Sequence, residues 1–287
     1  TDNNKPETPW LLSKHRNPVA KNVTVIGAGL AGCHVARALA ERNVRVTVIE
    51  KHPSPAQEAS GNPQGALYTR LSANNAALSR FSLASLQYAL RHYSQTAFAE
   101  AMHACGLLQL QDTRDEMLQD LFSGNPELAH WLDASEATQK SGINLQRGGW
   151  WLAQAGWINP RKLCHALLDH PLITTHYSCE TSQLHNENSQ WQLNDARGKT
   201  VTESSQIIIA FANRAAAFTQ TNWLPLRPVR GQISQLPATD TSQSLHCVVC
   251  DEGYVTPAAN GQHCLGASFM PGDTDTALRM DEQQHNL

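Results

Sequence analysis

The feature that most constrains the fold is a glycine-rich turn between a short apolar run and an alanine-rich segment. Gly27-Ala28-Gly29-Leu30-Ala31-Gly32 matches the pattern G-x-G-x-x-G and follows the β-branched run at residues 23–26. Residues 30–42 have a helical pattern, and residues 44–49 form a second β-branched run. A β-α-β crossover of this length is right-handed with parallel strands, so the sequence predicts an α/β fold with a Rossmann-like N-terminal lobe.

This glycine loop (residues 27–32) has the chemistry of a dinucleotide site. Gly27 permits a tight turn, Gly29 allows a pyrophosphate to approach the backbone, and Gly32 allows close packing of helix on strand. The free N–H groups at the helix start favour an anion. Glu50, at the end of the second strand, can accept hydrogen bonds from a ribose and would repel a 2′-phosphate. A purely structural turn beside a solvated Glu50 is the alternative, and these residues alone do not separate FAD from NAD.

Composition narrows the class of protein. The chain has 287 residues, of which 41% are hydrophobic and 16% charged, as in a globular protein with two lobes. A net charge of −3 gives no electrostatic indication of nucleic-acid binding. Seven scattered cysteines indicate reduced thiols. The longest apolar run, residues 207–212, is too short for a membrane span, so we expect a cytoplasmic protein without a membrane partner.

Further elements are predicted along the chain. Apolar residues from Leu83 to Ala97 recur at three- and four-residue steps and predict a long helix with one buried face. Asn159-Pro160 is typical of a helix start, and Arg197-Gly198 of a hairpin turn. Residues 207–209 are predicted to form a fully buried strand of the first sheet, and short β-like runs after residue 226 predict a second sheet.

Several separated segments carry a resemblance to a known family. VTVIGAGLAG, VIEKH and ASGNPQGALY resemble the D-amino-acid oxidase and glycine oxidase superfamily. GGWWLAQAGWINPRKL, LPLRPVRGQIS and DEGYVTPAANGQHCLGASF narrow it to the FAD-dependent domain of the bifunctional MnmC-type enzymes of tRNA wobble-uridine modification, over roughly residues 8–287. The resemblance implies FAD as cofactor. It assigns cofactor contacts to the glycine loop residues Gly27, Ala28, Gly29, Leu30, Ala31 and Gly32, and to Glu50, Lys51, Ser60, Gly61, Gln64, Gly65, Ala66 and Leu67.

The resemblance also implies a domain organisation. The expected divisions are a linker at residues 1–20, an FAD-binding lobe at 21–82 and 155–220, a helical and substrate-lobe insertion at 83–154, and a substrate lobe with a mixed or antiparallel sheet at 221–287. Full-length members carry a methyltransferase domain before this region. Their C-terminal region supplies a substrate-binding arginine, so the resemblance implies that this chain is C-terminally truncated and a poor enzyme alone.

The implied reaction removes the carboxymethyl group of 5-carboxymethylaminomethyl-(2-thio)uridine in tRNA as glyoxylate, leaving the aminomethyl base. The modification is an N-substituted glycine whose α-carbon gives a hydride to the flavin, so positioning can promote the reaction without a protein base, and we predict none. The resemblance makes Tyr254 and Arg230 the candidate substrate-binding residues. A packed tyrosine and an ion-paired arginine are the structural alternatives.

Other motifs have weaker support. Trp150, Trp151 and Trp157 could stack a nucleobase, but clustered tryptophans are more often core residues. Cys247 and Cys250 form a lone C-x-x-C on a predicted strand, where positions i and i+3 face opposite ways, so we predict no metal site. Two rival functions stay open: a free amino-acid oxidase acting on glycine, sarcosine or a D-amino acid, and an inactive fragment that binds tRNA or a partner enzyme.

Overall fold

The structure, a computed structural model of the chain, describes residues 21–69, 71–72 and 77–287. The predicted linker at residues 1–20 lies outside them. The described helices are α1 (Leu30–Ala40), α2 (Ala77–Tyr93), α3 (Glu116–Phe122), α4 (Ala134–Ser141), α5 (Pro160–Leu168) and α6 (Met280–His285). The strands are β1 (Asn22–Ile26), β2 (Arg45–Ile49), β3 (Gly65–Leu67), β4 (Met102–His103), β5 (Leu107–Leu110), β6 (His130–Leu132), β7 (Gly149–Leu152), β8 (Gly156–Ile158), β9 (Ile173–His176), β10 (Gln183–Glu187), β11 (Gln190–Asn194), β12 (Thr200–Ser204), β13 (Ile207–Ile209), β14 (Val229–Arg230), β15 (Ile233–Pro237), β16 (Val248–Cys250), β17 (Tyr254–Val255), β18 (Gln262–Gly266) and β19 (Met270–Pro271).

A parallel four-stranded sheet contains the predicted β-α-β unit. Its order is β13-β1-β2-β9, and Val25 of β1 stands opposite Val48 of β2. Both valines are fully buried, because α1 and α5 pack together over the sheet. The prediction that residues 207–209 join this sheet is confirmed. The prediction of full burial is wrong, since β13 is an edge strand and its three isoleucines are only partly covered.

A seven-stranded sheet forms the second layer, in the order β15-β18-β17-β16-β5-β7-β6. Its pairs are antiparallel except β16 with β5, which agrees with the expected mixed sheet. One core cluster beneath it contains Trp150, Leu107 and Val248, together with Leu86 and Leu90 from the inner face of α2. The strands predicted after residue 226 therefore complete a sheet whose other half comes from β5–β7.

Smaller elements connect these layers. The predicted hairpin is present as β11 and β12, and Gly198 in its turn has a φ of +78°. Asn159 caps α5 by accepting a hydrogen bond from the Lys162 amide at 3.0 Å. The predicted long helix was too long at its C-terminal end, because Ala97 lies in a separate 3₁₀ turn, Thr96–Phe98. The domain division stays a prediction, and its boundary between residues 82 and 83 falls inside α2. No described helix is long and apolar enough to span a bilayer.

Candidate active site

The glycine loop lies at the carboxyl end of β1, between β2 and β13. This is where the strand order of a doubly wound sheet reverses and where such sheets bind ligands. The Gly27 amide donates to the Ile49 carbonyl at 2.8 Å, and the Ala210 amide donates to the Ile26 carbonyl at 2.9 Å. The loop is thus fixed to the ends of both neighbouring strands.

Two glycines of the loop are required by its geometry. Gly27 has a φ of +104°, and a Cβ there would lie 2.4 Å from the Ala210 carbonyl oxygen. A Cβ on Gly32 would lie 1.9 Å from the Gly27 carbonyl oxygen. The first turn of α1 contains no acidic residue. The amides of Ala31 and Gly32, in the same turn, donate to no described group outside α1. An anion such as a pyrophosphate is favoured at this position.

Glu50 braces the same loop. It follows β2, is 9% exposed, and accepts hydrogen bonds from the Ala28 amide at 2.8 Å and the His52 amide at 2.9 Å. Each carboxylate oxygen keeps capacity for a further donor such as a ribose hydroxyl. Lys51, the next residue, forms an ion pair with Glu58. Burial raises the pKa of Glu58, but hydrogen bonds from Lys51 and His52 outweigh it, and the net pKa is lowered.

The segment after Glu58 returns to the glycine loop. Ser60 lies in a 3₁₀ turn, Ala59–Gly61, and its Oγ accepts a hydrogen bond from the Leu30 amide at 3.0 Å. A Cβ on Gly29 would come 3.1 Å from the same Oγ. Beyond the turn, β3 pairs with β8 and carries three of the predicted cofactor contacts, Gly65, Ala66 and Leu67. The structure therefore brings Glu50 and Ser60 directly against the glycine loop.

Gln64 joins this half of the site to the second sheet. Its side chain is buried, and Nε2 donates to the Pro257 carbonyl at 2.9 Å. The Cys264 thiol lies between the backbone of Gln64 and the hydroxyl of Tyr254, which is 3.8 Å from the sulfur. Burial raises the pKa of Tyr254, so its hydroxyl is a neutral donor at neutral pH. Tyr254 and Gln64 thus meet at one place although they lie far apart in sequence.

Arg230 has a different environment from the one expected of a substrate ligand. It is 8% exposed, and its Nε donates to Glu282 at 2.7 Å. The two Nη atoms donate to Gln232 and to the Asp275 and Ala277 carbonyls. With these four hydrogen bonds, the guanidinium ties β14 to α6, and its contacts favour the ion-paired alternative over substrate binding. Ser268 also donates to Glu282.

The tryptophans and the C-x-x-C lie in the core. Trp150, Trp151 and Trp157 are 0%, 7% and 6% exposed, which leaves no ring face open for a nucleobase. Cys250 packs in one core cluster and Cys247 in another, as expected for opposite faces of a strand. Burial raises the pKa of each thiol to about 12. No group of three or more potential metal ligands occurs in the described ranges.

Several site residues were missed by sequence reasoning. His52 and Glu58 hold the segment after β2, and Ala210 packs on Gly27. The acid Glu282 fixes Arg230 from a position 52 residues away. The only sequence signal that could have identified any of these residues is a position at the end of a predicted strand, and it applies to Ala210. Nothing in the local pattern distinguishes Glu282 from a surface acid.

The sequence of this chain is similar to those of known proteins. Residues 22–287 match the family described as FAD dependent oxidoreductase, DAO. The tRNA 5-methylaminomethyl-2-thiouridine biosynthesis bifunctional protein MnmC of Methylobacillus flagellatus is 40% identical over 273 residues, which cover 93% of this chain and 42% of that protein. The protein of the same name from Stutzerimonas stutzeri is 41% identical over 286 residues, covering 98% and 43%. The chain therefore spans less than half the length of these relatives.

Solved structures share the fold. Glycine oxidase from Geobacillus kaustophilus superposes with a TM-score of 0.70 at 22% identity, covering 92% of this chain and 75% of that one. Iminodiacetate oxidase from Chelativorans sp. BNC1 gives a TM-score of 0.65 at 20% identity, covering 92% and 76%. The glycine loop, Glu50 and Ser60 have the geometry expected of a site for the ADP half of a dinucleotide, and their contacts with a cofactor stay a prediction. Because the family match extends over nearly the whole described chain, this protein belongs to the FAD-dependent oxidoreductase family DAO, and its cofactor is FAD.

Proposed function

We propose that this chain removes the carboxymethyl group, as glyoxylate, from 5-carboxymethylaminomethyl-(2-thio)uridine at the tRNA wobble position. The observation that carries the proposal is the match of 93% and 98% of the chain to proteins named for 5-methylaminomethyl-2-thiouridine biosynthesis, at 40% and 41% identity. Those proteins are more than twice as long, so we also propose a methyltransferase domain as the partner of this unit.

The substrate group has the form R–NH–CH₂–COO⁻. Oxidation removes a hydride from the methylene carbon and a proton from nitrogen, and water then splits the imine into R–NH₂ and glyoxylate. Bound FAD would supply the acceptor for this hydride, with oxygen as the final oxidant. The chain has to hold the carboxylate and the neutral amine in one orientation.

Individual residues support separate roles in cofactor binding and substrate binding. The backbone amides of the glycine loop would hold the pyrophosphate, and Glu50 would accept the ribose hydroxyls. Tyr254 is our candidate for the substrate carboxylate, because burial raises its pKa and keeps the hydroxyl as a donor. For Arg230 we propose a positioning role, since its hydrogen bonds to Glu282 and to the segment before α6 fix that segment against β14.

A second candidate is a free amino-acid oxidase. It is favoured by the fold shared with glycine oxidase, at 22% identity. The two are separated by measuring glyoxylate release from tRNA carrying carboxymethylaminomethyl uridine, against oxygen uptake with free glycine, sarcosine and D-amino acids. Release from tRNA with no uptake on free amino acids supports the proposal. The opposite pattern refutes it, and a colourless protein that still binds tRNA would identify a non-catalytic fragment.

A further inference from the structure

The outer face of α2 is unusually apolar for a helix whose inner face is already buried. Leu86, Leu90 and Tyr93 point into the protein. On the opposite side Phe81 and Tyr88 are 70% and 62% exposed, and Leu78 on the flank is 73% exposed. The buried face satisfies the packing requirement of an amphipathic helix, so packing within the described chain does not explain the outer aromatic residues.

The charges on this face have one sign. Arg80 and Arg91 are exposed and form no ion pair with a described residue. From residue 59 to residue 99 the sequence contains no aspartate or glutamate, although the chain has 25 acidic residues. Burial lowers the pKa of His92, and the nearby Glu41 carboxylate of α1 only partly opposes this shift. That carboxylate is paired with Arg37 at 2.7 Å.

Helical geometry places the two kinds of side chain next to each other. With about 100° per residue, Arg80 and Arg91 project within about 20° of each other, and Tyr88 and Phe81 follow within the next ~80°. The rise of about 1.5 Å per residue separates the arginines by ~16 Å and the aromatic rings by ~10 Å. Small residues, Ala84 and Ser85, lie between the rings. Tyr88 stacks on His92 with 5.6 Å between the ring centroids, and its side chain is still 62% exposed.

We propose that this face of α2, formed by Arg80, Phe81, Tyr88 and Arg91, is a tRNA-docking surface. Arginines contact phosphates, and exposed aromatic rings stack unpaired bases, so a basic edge beside an aromatic ridge without acids fits a polyanion that carries bases. The inner face of α2 packs in the core cluster that Ala66 and Tyr254 also contact, which places the docked RNA on the same body as the candidate active site. The inference rests on the proposed function for its choice of RNA.

The test is direct binding of a fluorescent, unmodified tRNA transcript to the full chain, measured at several salt concentrations. One variant, Arg80→Gln with Arg91→Gln, removes the charges, and another, Phe81→Ala with Tyr88→Ala, removes the rings. Arg197→Gln, in the exposed β11–β12 turn, and Met117→Ala, on the exposed side of α3, are matched controls. Circular dichroism and flavin content verify that each variant is folded.

We expect the charge variant to bind about tenfold more weakly and to lower the slope of log affinity against log salt by about two, one for each lost phosphate contact. The aromatic variant should lose about thirtyfold or more with an unchanged slope, because two stacked bases are lost and stacking releases no counterions. Both controls should stay within about twofold of the parent chain, since neither changes the proposed surface.

Three results overturn the inference. Equal binding by the parent and both α2 variants removes the surface while leaving the proposed function intact. A parent chain that fails to bind tRNA overturns both the surface and the tRNA substrate. Binding to phosphatidylserine vesicles that the variants lose, with tRNA binding unaffected, would make α2 a membrane-surface helix. Conversely, α2-dependent tRNA binding without glyoxylate release refutes the proposed function alone.

Discussion

Replacing two glycines of the glycine loop should separate cofactor binding from folding. In Gly32→Ala the new Cβ would lie 1.9 Å from the Gly27 carbonyl oxygen, a backbone atom fixed between β1 and β2. Overpacking of this kind costs about 1–3 kcal/mol. At about 2–4 °C per kcal/mol, we expect the flavin-free protein to lose roughly 2–12 °C in Tm.

Gly29→Val should behave differently. Gly29 has a φ of −76° and a ψ of 179°, which valine adopts readily, and a Cβ there comes 3.1 Å from Ser60 Oγ, a side-chain atom that can move. We expect a change in unfolding free energy below about 1 kcal/mol. The valine would nevertheless occupy the approach of the pyrophosphate to the loop, so bound flavin should be lost.

The assay measures visible flavin absorbance per chain and thermal unfolding of flavin-free protein, so that ligand stabilisation does not enter the comparison. Gly124→Ala is the control, because a Cβ there has nothing within 4 Å. If Gly29→Val retained one flavin per chain, the assignment of the glycine loop as the FAD site would be refuted. An unchanged Tm for Gly32→Ala would contradict the packing argument instead.

Three further outcomes are expected. Tyr254→Phe should raise the apparent KM about fivefold, equivalent to ~1 kcal/mol, with flavin content intact; unchanged kinetics would assign the residue to the core. Glu282→Gln should lower Tm more than Asp281→Asn, because it leaves the buried Arg230 without its charge partner, and equal effects in thermal unfolding would contradict this. Burial, and to a smaller extent the positive charge of nearby His92, lowers the pKa of His34 to about 4. As pH falls, this histidine is protonated at a higher pH in the unfolded chain than in the folded protein, so the free energy of unfolding should fall between about pH 6.5 and pH 4. The urea midpoint of His34→Gln should depend less on pH in this range than that of the parent chain.

The predictable parts of the molecule were those with a local cause. The glycine loop, α1 and Glu50 are encoded within about thirty residues as an apolar run, a glycine pattern and a helix. Asn159 likewise identified the start of α5 because the cap needs only its own neighbours. The burial of β13 was overestimated, since an apolar run does not reveal whether a strand lies at an edge of its sheet.

The parts that were missed depend on contacts between distant segments. Gln64 reaches Pro257 across 193 residues, and Arg230 reaches Glu282 across 52. Neither pairing has a periodic or motif signal, because both follow from the way the two sheets come together. Arg230 was placed near the substrate by resemblance, whereas its contacts with α6 became visible only when its hydrogen-bond partners were known.

The two proposed halves of the site should respond differently to substitutions. The proposed cofactor half consists mainly of backbone amides from one loop, braced by Glu50 and Ser60, so it depends little on the second sheet. The proposed substrate half would depend on Tyr254 and on the Gln64–Pro257 hydrogen bond, which come from separate parts of the chain. Substitutions in the seven-stranded sheet should therefore alter substrate handling before they alter flavin content, because the amides proposed to bind the pyrophosphate are fixed by the ends of β1, β2 and β13.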